Sequence, residues 1–439
     1  MVRDIQGSFD VIVVGAGLAG SVCALSLARN GARVCVCERG AWPGEKSLSG
    51  MILYGRPLAD LIPAFWKDAP VERAITRRRF SVLSQDSEVA VDLRFEDFNR
   101  EPHNYTFSVL RSRFDRWFAQ QAAEAGATVF TEALVEDLLW EGQKVVGVRL
   151  RGGVDLAAHV VVSCEGTNGF LVQKAGLRDP YSPRKVAVGV KEVLALPREI
   201  LQDRFGLEGK EGAAMEFFGQ SVKGLVGSAF LYTNQDTLSV GLSCSVESLI
   251  EGGIPPAELL ARFKQHPSVR RWVNGGERVE YGAQMIPEGG YYGIPRLVRD
   301  GFLVCGSAAG FVGGTFYHEG SSMALLSGRL AAETILDARR QGDYTARVLK
   351  AYVRRLKRSP VLTDLRGQRH LSAWCHENPR FFKEYPDLAV ELLRDYFTVS
   401  ANKSKAEIRR GIARKFRARV GYLRGLWDFW RFRKVMFGR

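Results

Sequence analysis

The feature that most restricts the fold is a glycine-rich turn near the N-terminus. Phe9–Val14 reads FDVIVV, a short, mostly apolar run suited to a strand buried on both faces. Gly15-Ala16-Gly17-Leu18-Ala19-Gly20 follows and fits G-x-G-x-x-G. A helical pattern then runs through Arg29, and Gly31 is placed to end it. A second strand is predicted over Arg33–Cys37, ending at Glu38. Gly15 permits the tight turn, Gly17 lets the backbone approach a pyrophosphate, and Gly20 lets helix and strand pack closely. The amides at the helix start carry partial positive charge and suit phosphates. Glu38, 18 residues past Gly20, is placed to accept hydrogen bonds from an adenosine ribose. Strand, helix, second strand and acid in this order point to dinucleotide binding. The motif alone does not choose between FAD and NAD(P).

Later stretches supply the partner pieces of an FAD fold. Val109–Asp115 opens an amphipathic stretch with Phe114, Trp117, Phe118 and Ala122 on one helical face. Strands are predicted over Ala127–Thr131, Leu134–Trp140, Val145–Leu150 and His159–Ser163. The last runs into Cys164-Glu165-Gly166-Thr167-Asn168, at the strand end where α/β sheets present their ligands. Phe302–Gly310 is again strand, then glycine turn. After Tyr317-His318-Glu319-Gly320 comes a long helix, roughly Ser321–Arg340. Its N-terminus would point positive potential at a reduced flavin, which is anionic near its pyrimidine ring. Alternation in Val186–Leu194 and Thr237–Cys244 predicts strands, and Pro255–Gln265 a helix.

Seven scattered cysteines, an odd count without C-x-x-C, predict reduced thiols in a cytosol-like compartment and no metal or iron–sulfur site. The uncharged stretch Gly301–His318 is broken by five glycines and reads as strand–turn–helix, not a membrane span. The formal charge of +14 is lopsided. Residues 403–439 carry 13 of the 62 basic residues and 2 of the 48 acidic ones, which leaves +3 for the rest. From Val420 onward, Tyr422, Trp427, Phe429, Trp430, Phe432 and Phe437 alternate with arginines. That pattern fits a helix lying in a membrane interface and is too charged to span. A docking helix for an acidic protein partner fits the same residues. RNA binding is disfavoured, and no nucleic-acid partner is expected.

The chain resembles the FixC-type flavoproteins, the quinone-linked subunits of FixABCX electron-transfer complexes. It is similar, more distantly, to electron-transfer-flavoprotein:quinone oxidoreductases and geranylgeranyl reductases. The resemblance rests on VIVVGAGLAGSVCAL ending at Leu25, VLRSRFDRW from Val109, and VAVGVKEVLALP from Val186. DRFGLEGKEGAA from Asp203, FLYTNQDTLSVGL from Phe230 and FKQHP from Phe263 add to it. IPEGGYYGIPRL from Ile286 and HEGSSMALLSGRLAAETI from His318 complete the set, within about residues 5–400.

The fold implied is α/β and α+β. An FAD-binding Rossmann-type domain, glutathione-reductase- and hydroxybenzoate-hydroxylase-like, would comprise residues 1–80, 103–180 and 285–355. An inserted antiparallel-sheet quinone domain would take 81–102 and 181–284. A helical region, 356–402, and the basic tail, 403–439, would follow. FAD contacts are implied at Gly15, Gly17, Leu18, Ala19, Gly20, Glu38, Arg39, Ser49, Gly50, Met51, Arg111, Val135, Gly166, Gly306, Ser307 and Gly310. The quinone pocket is expected near Gly289, Gly290, Tyr291 and Tyr292, although a turn with surface tyrosines fits them too. Lys46 would steady reduced flavin or simply be solvated, and His318 would relay protons to quinone.

The resemblance further implies an electron donor, a two-subunit electron-transfer flavoprotein that oxidises NADH. The acceptor would be ubiquinone or menaquinone, with a second electron going to ferredoxin or flavodoxin. A small ferredoxin-like subunit would hold the iron–sulfur centre. The protein would sit peripherally on the cytoplasmic face of the membrane, with a link to nitrogen fixation, and a dimer of the whole complex is compatible with this. The rival readings are an isoprenoid double-bond reductase of the geranylgeranyl type and a membrane-assembly subunit whose flavin does not turn over.

One position departs from the family. Ser307 stands where relatives usually carry Asp, in a G-D-A-A-G turn expected to bond the flavin ribityl chain. Serine keeps the hydrogen bond and loses the negative charge. Ser307→Asp should therefore lower the flavin potential in a spectroelectrochemical titration. A rise, or no shift, would misplace Ser307.

Overall fold

The computed structural model describes residues 8–314 and 319–437. The apolar opening run forms the strand Ser8–Val14, the glycine turn follows, and the helix Leu18–Ala28 is buried along its whole length. A helix with no polar face must be covered on all sides. The strands lie on one side of it and the helices Arg111–Glu124 and Ser321–Gln341 on the others.

The opening strand is central in an eight-stranded sheet. Its order is Val298–Arg299, Phe302–Val304, Asp155–Ser163, Ser8–Val14, Val34–Cys37 and Thr128–Phe130. The middle strands run parallel, so their C-terminal ends open on one edge. The hairpin Val135–Glu141 and Lys144–Leu150 joins through Asp155–Ala157.

The second sheet has nine strands and is largely antiparallel. Its order is Glu277–Pro287, Val186–Ala195, Thr237–Ser245, Gly227–Thr233, Glu211–Gly219, Val71–Leu83, Thr106–Val109 and Met51–Tyr54, with Glu88–Arg94 paired to Val71–Leu83. Period-two alternation divides its faces. Val190, Leu231, Val240 and Leu242 pack on one face against Leu201, Phe205, Leu260 and Phe263 of the covering helices. The other face carries Ile75, Ala214, Phe230 and Tyr232.

Pairing redraws the segment boundaries expected from sequence. The strand Val71–Leu83 runs through 80/81, and Glu277–Pro287 runs through 284/285. Met51–Tyr54 and Thr106–Val109, assigned above to the dinucleotide-binding part, belong to the second sheet. A short apolar strand reads the same whichever sheet it joins. Its partners decide, and they are remote in sequence.

Close approach of backbones locks the dinucleotide unit. A Cβ on Gly20 would lie 1.8 Å from Gly15 O, and one on Gly328 would lie 2.2 Å from Ala19 O. Gly328→Ala should therefore push the helix Ser321–Gln341 off Leu18–Ala28 and cost about 1–3 kcal/mol. Urea unfolding would measure it as a lower midpoint at unchanged slope.

Candidate functional site

The glycine turn is held from both sides. Gly15 adopts φ +100°, and a Cβ there would lie 2.5 Å from Cys164 O, so only glycine fits. Glu38, at the end of the second strand, accepts hydrogen bonds from Ala16 N (3.0 Å) and Gly40 N (2.8 Å). Its carboxylate thus ties two loops together while lining the cavity, and each oxygen keeps a lone pair for a further donor. Arg111 reaches the same turn, and a Cβ on Gly17 would lie 3.5 Å from its Nη2. Asp115, fully buried, fixes that guanidinium, whose Nε lies 2.8 and 2.9 Å from the two carboxylate oxygens. The charge of Asp115 keeps Arg111 firmly protonated against its burial.

On the opposite side, Ser327 Oγ accepts from Gly306 N (3.0 Å) and holds the Gly306–Ser307 turn against the long helix. Ser321 Oγ, in the first turn of that helix, accepts from Tyr54 N (2.9 Å). The loop before Met51 lies over the second sheet, where Gln284 Oε1 accepts from Leu48 N (3.3 Å).

These parts line one continuous cavity of about 1230 Å³. Ligand clefts are commonly about 300–1,000 Å³, so there is room for a dinucleotide and a second guest. Gly15, Gly17, Leu18, Ala19, Glu38, Arg39, Gly50, Met51, Arg111, Val135, Gly166, Gly306 and Ser307 line it. Gly20, Ser49 and Gly310 do not: Gly20 is a packing glycine, Ser49 is buried, and Gly310 closes the turn after Ala309. Lys46 lines the wall, but its ammonium lies 3.1 Å from Glu45 and is half exposed. His318 lies outside the described residues.

The residues expected to form the quinone pocket, Gly289–Tyr292, stand mostly outside the cavity. Of the four residues only Gly290 lines the cavity, while Tyr292 is 63% exposed and packs beside His370. The cavity instead extends past Phe230, Glu216, Ile286 and Glu288 to an aromatic wall of Trp374, Phe381, Phe382 and Phe432. Burial pushes Glu216 up to about 8 and Glu288 up to about 7, the latter opposed by Ser243. His376 lines the same arm, with Nδ1 3.0 Å from Glu247, and burial lowers its pKa.

The basic tail is not a loose appendage. It forms the helices Lys405–Arg419 and Tyr422–Phe437. The helix Arg380–Phe397 pairs two basic residues of the first: Lys415 bonds Glu391 (2.9 Å) and Asp395 (2.6 Å), and Arg419 pairs with Glu391 (2.9 Å). The second covers the aromatic arm. Phe432 stacks on Phe381 with centroids 5.6 Å apart, and Asp428 accepts from Tyr385 Oη (2.6 Å). Its outer face exposes Leu423, Leu426, Trp427 and Phe429 beside Arg424 and Arg433. Among the described residues no helix is long and apolar enough to cross a membrane.

Lys191, Glu216 and Glu288 are site residues that sequence reasoning passed over. For Lys191 and Glu216 the available signal was a charge at a cavity-facing position of an alternating strand, which becomes readable only once the face is known; Glu288 lies just past the end of the strand Glu277–Pro287 and gave no such signal.

A dinucleotide with one long axis fits this wall: a cradle at Gly17 that a Cβ would fill, the buried Arg111 head beside it, and Glu38 on one flank. A family model described as FAD dependent oxidoreductase matches residues 10–181, and one described as the ETF-QO/FixC family C-terminal domain matches 371–437, through both tail helices. The chain is 42% identical to Protein FixC of Escherichia coli K12 over 94% of its length and 96% of that protein. It is 42% identical to Protein FixC of Azorhizobium caulinodans over 90% of its length and 91% of that protein's. A probable electron transfer flavoprotein-quinone oxidoreductase of Escherichia coli K12 is 40% identical over 90% and 92%. In fold it is similar to a geranylgeranyl bacteriochlorophyll reductase-like protein of Thermoplasma acidophilum, with TM-score 0.72 at 20% identity, covering 93% of this chain and 96% of that one. It is also similar in fold to the flavin-dependent brominase Bmp2, with TM-score 0.64 at 20% identity over 94% and 100%.

Glu38→Ala leaves the Ala16 and Gly40 amides without their acceptor, at about 1–3 kcal/mol for each left unpaired. Titrating the apoprotein with FAD, followed by flavin fluorescence, should show affinity reduced by about tenfold or more.

Proposed function

The chain belongs to the FixC family of FAD-dependent oxidoreductases, and from that premise we propose that it passes electrons from an electron-transfer flavoprotein to a membrane quinone. It would serve as the higher-potential branch of an NADH-oxidising complex that also reduces ferredoxin or flavodoxin. FAD, when bound, exchanges electrons singly or in pairs and so links one-electron carriers to a two-electron acceptor. Gly15, Gly17 and Arg111 would hold its pyrophosphate, Glu38 the adenosine ribose, and Gly50, Met51, Gly306 and Ser307 would surround the other end.

The observation that carries the reading is the second arm of the cavity. Trp374, Phe381, Phe382 and Phe432 make an apolar slot for a flat ring. Converting a quinone to a quinol consumes two electrons and two protons. Glu216 and Glu288, pushed up to about 8 and 7, hold protons near neutrality and so can donate them from within the apolar wall. Above those values both are ionised, so quinol formation should slow as pH rises past 8. The helix that roofs the slot turns Leu423, Leu426, Trp427 and Phe429 outward, which supports a position on the membrane surface where the acceptor dissolves. One relative's name, a probable electron transfer flavoprotein-quinone oxidoreductase, supports the same pair of partners.

The test is anaerobic oxidation of the reduced, flavin-loaded protein by a ubiquinone or menaquinone analogue in anionic liposomes. Rapid bleaching reversal with quinol formation is expected. Phe381→Asp should slow it by at least about tenfold, because a buried charge disfavours the apolar guest. Replacing Trp427 and Phe429 by Glu should release the protein from vesicles with its flavin intact. Turnover with an unsaturated prenyl substrate, and none with quinone, would instead make the chain an isoprenoid reductase.

A further inference from the structure

We propose that Lys191 is the charge-compensating group of the flavin site, taking up a proton from water when the bound cofactor is reduced. This rests on the FAD reading above and adds a residue to it.

Lys191 lies on the strand Val186–Ala195, on the face turned from the helices. Its register partners are Gly241 on one side and Gly282 on the other. Neither has a side chain to crowd it, and a Cβ on Gly282 would meet Leu48 at 2.8 Å. The loop carrying Leu48 and Gly50 can therefore settle onto the sheet directly over the lysine. Lys191 Nζ donates to Gly50 O and lies 2.8 Å from Tyr232 Oη. Phe230 and Tyr232 present their rings at 5.3 and 5.4 Å. Tyr232 in turn is linked to Ser239, which accepts from Asn234 Nδ2 (3.1 Å).

Lys191 is thus 7% exposed and lines the cavity, and neither hydrogen-bond partner of its Nζ is an anion. A neutral amine can satisfy both contacts with its two hydrogens and keep its lone pair for a proton. Burial, helped by the positive Arg111 across the cavity, lowers its pKa to about 7, against a weaker pull from Glu280 on the edge strand. Tyr232 stays a neutral phenol, with burial raising it far above its ordinary value. Lys46 of the overlying loop is engaged by Glu45, and Glu192, on the opposite face, by Lys264.

The position along the cavity gives the lysine its task. With the pyrophosphate at Gly17 and Arg111 and the adenosine at Glu38, the redox-active end would lie toward the remaining walls of the cavity, which include Gly50 and Lys191. Two electrons and one proton delivered there add one net negative charge. A neutral amine beside it then binds a second proton from solvent, and charge is balanced. The reductant is the electron donor of the proposed reaction, or dithionite in the test.

The test is proton uptake per electron pair on reduction of the flavin-loaded protein, read with an indicator dye in weak buffer near pH 8. Lys191→Met and Lys191→Arg should each take up one proton fewer than wild type, because neither side chain titrates there. Their midpoint potentials should move apart, Met below wild type and Arg above, which a merely structural residue would not produce. Equal uptake in wild type and either variant would put the second proton elsewhere and overturn the proposal. If neither variant holds flavin, wild-type uptake must fall by one proton as pH drops through about 7, and must do so equally in Glu288→Gln, whose carboxyl titrates in the same range; a flat profile, or one lost with Glu288, overturns the proposal. A wild type that stays colourless with excess FAD would remove the FAD reading itself, while a yellow one with unchanged uptake would remove only Lys191.

Discussion

Everything at the site depends on how closely one helix can approach the strand before it. With Gly20 against Gly15 O and Gly328 against Ala19 O, the helix Leu18–Ala28 is gripped at backbone distance on two sides. No side chain intervenes, so there is no slack. The first-turn amides of that helix are thereby aimed at the open edge where the strands Val34–Cys37, Asp155–Ser163 and Phe302–Val304 also end. Four segments far apart in sequence deliver Gly17, Glu38, Gly166 and Ser307 to one wall because the sheet is parallel there.

The second sheet solves a different problem. One face must bury a core, and the other must serve as the wall of a wet, functional space. Alternation lets the same strands do both. Along Thr237–Ser245, Leu238, Val240, Leu242 and Cys244 enter the core while Ser239 and Ser243 face the other way. Along Val186–Ala195 the same rule sends Val190 and Leu194 inward and leaves Lys191 on the cavity side. A lysine is costly there unless it can shed its charge. The structure supplies that option through two neutral oxygen partners, so the site can hold either protonation state without rebuilding.

Local patterns explain what the sequence made legible. The glycine turn, the strand Val186–Ala195, the helix Pro256–Gln265 and the helix Ser321–Gln341 all lie within two residues of where periodicity and turn chemistry predict them. Each is decided by neighbours in the chain. The misplaced pieces are decided by remote partners. Tyr291 and Tyr292 carry the residue types a quinone slot needs, but Tyr292 turns toward His370 and solvent. The aromatic slot comes from Trp374, Phe381 and Phe432, on three helices whose order in space no local pattern gives. The tail's net charge overstates its free positive charge because counting within the segment misses the acidic partners of Lys415 and Arg419 on another helix.

Those partners change what the tail can do. Glu391 and Asp395 neutralise Lys415 and Arg419, and Asp428 sits between Arg380 and Tyr385. The positive charge facing outward is therefore somewhat less than composition suggests: Arg409, Arg410, Arg414 and Arg417 stay exposed on the first tail helix, and Arg424, Arg433 and Lys434 on the second, beside Trp427 and Trp430. A surface of this kind holds to an interface mainly through buried apolar area, with the arginines adding attraction to anionic headgroups. The inner face of the same helix lines the cavity with Phe432 and Met436. One helix thus combines an outward apolar face with a wall of the aromatic arm, which under the proposed function would let an acceptor dissolved in the membrane reach the site without crossing open water.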